Sequence, residues 1–221
     1  MSRWTLVAIL SLFSRSAVAE TDAQLWLSAN ARYKPISKVR LELTQHLRFD
    51  ENFTRVESVM PELEVQYRPV KPMAVKIGYR YIQERTKNGD FEPAHRYHVQ
   101  LSTKKKFGPI SVGYRLRYQE KHEADEFDYT MRLRNKLSAE WDTDTDYTPM
   151  IFTEIFSDPR AIPVDSSKYR LGLGLEYKVN KKNRVSVDYL YQHDFERNDF
   201  QQHICRVNYQ YKIKKPKPAK E

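Results

Sequence analysis

Cysteine, glycine and long apolar runs are all scarce in this chain of 221 residues, and each scarcity closes off a class of protein. The single cysteine, Cys205, excludes an intrachain disulfide and any zinc site built from several thiolates. The six glycines supply no phosphate cradle, because Gly172-Leu173-Gly174 lies in an alternating segment and no helix follows it. No G-x-S-x-G is present. The longest apolar stretch, Trp4 to Phe13, is ten residues, about half of the roughly 20 that a helix needs to cross a bilayer. With 30% charged residues and a mean hydropathy of -0.77, a helical membrane bundle is excluded. What is plentiful is aromatic: 13% of the chain, with 15 tyrosines, which argues against a disordered segment.

The first residues read as an export signal. Arg3 precedes the apolar run, and Ala17-Val18-Ala19 precedes Glu20, which predicts cleavage after Ala19. The expected division is 1–19 signal peptide, 20–213 barrel and 214–221 basic periplasmic tail. The signal holds two arginines and no acid, so the net charge of +9 becomes +7 after cleavage.

From Ala23 onward apolar and polar residues alternate in segments of about ten, the period of a strand with two unlike faces. Val39, Leu41, Leu43, Leu47 and Phe49 share one face, while Arg40, Glu42, Thr44, His46 and Arg48 share the other. The pattern recurs at Val75 to Tyr81, Tyr97 to Leu101, Ile110 to Tyr118, Tyr129 to Leu137, Tyr169 to Tyr177, Val185 to Tyr191 and Val207 to Tyr211. Weaker segments run through Leu25 to Tyr33, Val59 to Tyr67 and Ile151 to Ile155, giving eleven candidate strands.

Tight connections at 34–37, 68–72, 104–109 and 180–183 alternate with longer polar ones at 50–55, 85–94, 119–126, 157–168 and 194–202. Short turns on one side and long loops on the other are the layout of an up-and-down antiparallel transmembrane β-barrel. The long loops are expected outside and the short turns in the periplasm. Bacterial single-chain barrels have even strand numbers, so about twelve strands are expected, within a range of ten to twelve. Eleven with a periplasmic carboxyl end would put the amino end on the long-loop side. A soluble barrel has the same period with the apolar face inward. Tyrosines at strand ends, such as Tyr33, Tyr67, Tyr118 and Tyr177, favour lipid outside, as does a polar face dense in ions of both signs.

The segments Gln24-Leu25-Trp26, Leu47-Arg48-Phe49-Asp50, Gly78-Tyr79-Arg80-Tyr81, Glu92-Pro93-Ala94-His95-Arg96 and Tyr114-Arg115-Leu116-Arg117-Tyr118 resemble an uncharacterised bacterial family of outer-membrane β-barrels catalogued as a domain of unknown function. The likeness runs over almost the whole chain after the signal. It implies a fold and a place in the cell outer membrane, and no reaction. The chain departs from the usual aromatic strand end of such barrels, since Tyr211-Lys212-Ile213 is followed by the basic segment 214–221.

With apolar faces outward, Arg48, Arg80, Arg96, Arg115, Arg117, Arg132, Arg134, Arg170 and Arg206 line the lumen with Glu42, Glu64, Glu84, Glu154 and Glu176. These ions either pair across strands and fill a narrow barrel or line a passive passage for small anions. Outer-membrane lipid, lipopolysaccharide and the barrel-assembly machinery are the expected partners; no nucleic acid, metal or cofactor is expected. Glu120, Glu123, Asp125, Glu126 and Asp128 read as a solvated acidic loop. Two other classes stay open, a membrane-embedded lipid-modifying enzyme and a soluble periplasmic lipid-binding barrel. For the enzyme, His98 and Ser102 on one strand are about 13 Å apart, too far for a nucleophile and its base.

Overall fold

Alternating sequence becomes alternating structure in the computed structural model, which describes residues 21–123, 129–161, 166–195 and 200–214. The segment 1–20, the acidic residues Asp125, Glu126 and Asp128, and the tail beyond Lys214 lie outside the described residues. Eleven strands form: β1 (Thr21–Ile36), β2 (Val39–Asp50), β3 (Arg55–Tyr67), β4 (Met73–Arg85), β5 (Phe91–Phe107), β6 (Ile110–His122), β7 (Tyr129–Trp141), β8 (Tyr147–Ser157), β9 (Ser166–Tyr177), β10 (Asn183–Asp194) and β11 (Phe200–Ile213). Each pairs with its sequence neighbours, and the sheet closes on itself. Closure leaves no sheet edge unpaired, the condition for backbone to sit in a medium without water.

Eleven strands fall within the expected ten to twelve, and the register supplies the reason that the number is odd. β1 and β11 run in the same direction and pair in parallel from Thr21 beside Gln201 to Tyr33 beside Ile213. The other pairings are antiparallel. A parallel seam lets eleven strands close without a twelfth.

Hairpin pairing also runs further than turn-forming residues suggested. Strand β1 continues through Pro35 to Ile36, and β5 continues through Lys104-Lys105-Lys106 to Phe107, opposite Ile110. Connections are therefore short at both rims: 37–38, 68–72, 108–109, 142–146 and 178–182 at the lower one, and 51–54, 86–90, 123–128, 158–165 and 195–199 at the upper one. The asymmetry survives in degree, since the longest lower connections have five residues and the longest upper one eight.

The outer wall is apolar. Leu43, Leu63, Ile77, Leu137, Ile151 and Leu173 are exposed, Leu173 at 59%. The buried side chains are mostly polar, among them Glu42, Glu62, Glu64, Arg80, His98, Glu154, Arg170 and Asp188. This is the inverse of a barrel that holds an apolar ligand inside. Two small apolar patches interrupt the polar lumen, Met60 with Ile82 and Ala94, and Phe152 with Leu190, Ile204 and Trp26.

Aromatic residues band the outer wall at two heights. The upper band couples tyrosine to histidine: Tyr169 stacks on His193, and from nearer mid-strand the hydroxyls of Tyr79 and Tyr189 reach His95 Nδ1 at 2.8 Å and His203 Nδ1 at 2.6 Å. The lower band includes the stacked pair Tyr147 and Tyr177, 4.8 Å between ring centres, with Trp141 and Phe107. On β9 the bands are eight residues apart, Tyr169 to Tyr177, and on β5 ten, Tyr97 to Phe107. At a rise of about 3.4 Å per residue and a tilt of about 40°, that is roughly 20 to 26 Å, against an apolar band of about 25 Å in outer-membrane barrels.

Candidate functional site

Inward residues at every second position bring ions of both signs into a tube narrow enough that most of them touch. One group sits on β1 to β6. Glu42 takes Arg32 at 3.1 Å, Arg40 at 3.3 Å and Lys76 at 2.9 Å; Lys76 also reaches Glu64 at 2.8 Å. Arg80 pairs with Glu62 at 2.8 Å, and His46 lies 3.0 Å from the same carboxylate oxygen. His98 Nε2 is 3.0 Å from Glu64, and Arg117 holds Gln100 Oε1 at 2.7 Å with Glu64 at 3.4 Å. Gly78 makes the room: a Cβ there would overlap the His98 imidazole.

The second group is centred on Glu154 of β8, 2% exposed. Arg134 binds it at 2.9 Å and Arg170 at 3.5 Å, and Arg115 also donates to it. Arg206 pairs with Asp188 at 2.8 Å, and Lys136 lies 3.5 Å from the centre of the Phe152 ring. Gly172 and Gly174 give way to Phe152 and Asp188, as glycines on an inward face do when bulky neighbours fill the lumen. Near the rims the pairs are more open: Glu84 with Lys121 above, Glu176 with Arg184 below.

All the lumen residues read from the sequence thus face inward, and most are paired. The lysines Lys76, Lys136 and Lys168 belong with them, as do His46, Trp26 and Phe156, and Phe152 beneath Lys136. Parity alone points to each, Trp26 by its place between Leu25 and Leu27, but an apolar or aromatic residue on the polar face has no sequence signal of its own.

Two chambers remain between these side chains. The central one, about 400 Å³, is lined by ten Arg and Lys against five Asp and Glu. The upper one, about 240 Å³, is lined by Arg48, Arg96, Arg132, Arg134, Lys168 and Arg170 against Glu57 and Asp194. Trp26, Arg48, Arg134 and Arg170 line both, so they form the waist. Arg48 stacks 4.0 Å over the Trp26 ring and Arg170 lies 4.9 Å from it.

Glu62, Glu64 and His98 are close enough together to share a metal ion. Their carboxylates already hold Arg80, Lys76 and Arg117, and a divalent cation would add to that surplus of positive charge. The His98 and Ser102 pair does not meet either: His98 is held by Glu64, and Ser102 Oγ lies 3.4 Å from the Ala74 carbonyl.

An apolar exterior, a lumen of paired ions and two cation-rich chambers define an inside-out β-barrel with a charged interior. The chain belongs to the family described as Protein of unknown function (DUF2490), whose model matches residues 23–204. That span takes in β2 to β10 whole, β1 from Ala23 onward, and β11 as far as Ile204. No curated protein matches the chain.

Proposed function

We propose that the protein is an outer-membrane β-barrel that serves as a narrow passive pore for small anions. The two-to-one excess of cationic over acidic side chains in the central chamber carries this reading. In a low-dielectric tube such an excess concentrates anions and repels cations. The apolar wall between two aromatic bands supports a place in lipid, with lipid and lipopolysaccharide against the tyrosine and histidine belt, and insertion by the barrel-assembly machinery. No helix among the described residues is long and apolar enough to cross a membrane, so crossing falls to the strands. The dense ion pairing narrows the bore, and Trp26, Arg48, Arg134 and Arg170 stand where the two chambers meet. The role is non-enzymatic and needs no cofactor.

Purified protein in planar bilayers under a potassium chloride gradient tests it. The expected result is a small conductance whose reversal potential indicates anion preference, reduced by Arg115→Ala with Arg117→Ala. Bilayers that stay silent with folded protein, or a preference for cations, would overturn the pore and leave a structural envelope component as the reading.

A further inference from the structure

Most cations of the lumen have an acid against them; Lys136, which sits on the Phe152 ring, and Arg48 and Arg96 do not. Among the described residues neither Arg48 nor Arg96 makes an ion pair, and Arg96 Nε is buried with no hydrogen-bond partner. Both line the upper chamber. Charges left unpaired in a confined space are costly unless something neutralises them. A second buried atom there without a hydrogen-bond partner has the opposite sign: Glu57 Oε2, also lining the chamber, accepts no hydrogen bond. Two guanidinium groups and one open carboxylate oxygen are a specification for a ligand.

We propose that the upper chamber is a binding site for a tetrahedral oxyanion dianion bearing one proton, of which inorganic hydrogen phosphate is the simplest. Two negative charges balance Arg48 and Arg96, and the planar guanidinium fork fits two oxygens at once, which chloride cannot offer. The remaining P–O–H donates to Glu57 Oε2. Sulfate has the same shape and charge and no proton to donate, so it meets the Glu57 carboxylate as a bare repulsion. The chamber volume, about 240 Å³, holds such an ion with room for a few waters. The Trp26 face is covered by Arg48, so an aromatic ligand has nowhere to stack.

This site rests on the reading that lumen anions come from the bulk solution, and binding is measured apart from conduction. The indole of Trp26 reports it, since an anion drawing on Arg48 alters the stack above the ring. The probe is folded protein in detergent micelles carrying Trp4→Phe and Trp141→Phe, titrated with sodium phosphate, sulfate or chloride at constant ionic strength. Phosphate should give a saturable fluorescence change, with sulfate weaker by roughly tenfold and chloride without saturation. Glu57→Gln should bring sulfate close to phosphate. Arg48→Gln with Arg96→Gln should abolish saturation; if that pair does not fold, Arg48→Lys with Arg96→Lys keeps the charge and loses the fork, and its affinity should still fall. A wild-type barrel that shows no saturation, responds equally to chloride, or binds unchanged in either double variant overturns the site. Phosphate binding by a barrel silent in bilayers would overturn the pore and keep the site; conduction without a phosphate response would do the reverse.

Discussion

Glu154 is the residue on which the lumen most depends. Three arginines from β6, β7 and β9 meet at its carboxylate, which is 2% exposed. Glu154→Ala leaves those guanidinium groups facing one another, and removing one partner from a buried pair typically costs about 3–5 kcal/mol. Glu176→Ala breaks a single, partly exposed pair with Arg184 and should cost about 0–1 kcal/mol. Urea unfolding in micelles, followed by the gel shift between boiled and unboiled protein, should separate the two variants clearly; equal midpoints would mean that Glu154 is solvated. Gly174→Val probes the same crowding from the other side. Its Cβ would overlap the Asp188 carboxylate that holds Arg206, and overpacking of this kind costs about 1–3 kcal/mol, to be read as a lowered midpoint in the same assay.

Strands carry the boundary between wall and lumen, and their outer faces can be tested against lipid. Leu173 lies midway between Tyr169 and Tyr177 on β9 and is exposed. Leu173→Arg should lower the folding free energy in liposomes by about 2–4 kcal/mol and Tyr177→Arg by about 0–1, because the cost of an arginine falls from midplane to interface. Equal costs at both positions would place the apolar band outside the bilayer. These outer faces were legible from sequence because a strand with two unlike faces alternates apolar with polar, and the strands β2, β4, β6 and β9 keep that rule with few breaks. The lumen was legible in composition and not in arrangement. Which arginine meets which acid depends on register between strands up to 53 residues apart, as for Arg117 and Glu64, and no local pattern encodes that. Phe152, Phe156, Leu190 and Ile204 sit on inward faces by parity, yet their chemistry says outward, so their role as lumen filling emerges only from the closed barrel. Pro35 and the Lys104-Lys105-Lys106 run read as turns because their propensities favour turns; pairing with β2 and β6 keeps both segments extended, and at the rim the lysine ammonium groups stay in water.

Orientation belongs to the whole molecule. In a Cys205→Ser background, Asn52→Cys on the upper rim should react with a membrane-impermeant maleimide in intact cells, while Lys181→Cys on the lower rim should react only after the outer membrane is permeabilised. The opposite pattern would invert the barrel. Either way, the parallel seam between β1 and β11 has a consequence that an even-numbered barrel lacks. Strand β1 starts at the upper rim and β11 finishes at the lower one, so the chain threads the wall once in net terms. A tag or domain joined ahead of Thr21 would be displayed on one side of the membrane, and one joined after Ile213 would hang on the other. In the outer membrane proposed above, the barrel would then work as a rivet, fastening something on one face to something on the other through one continuous polypeptide.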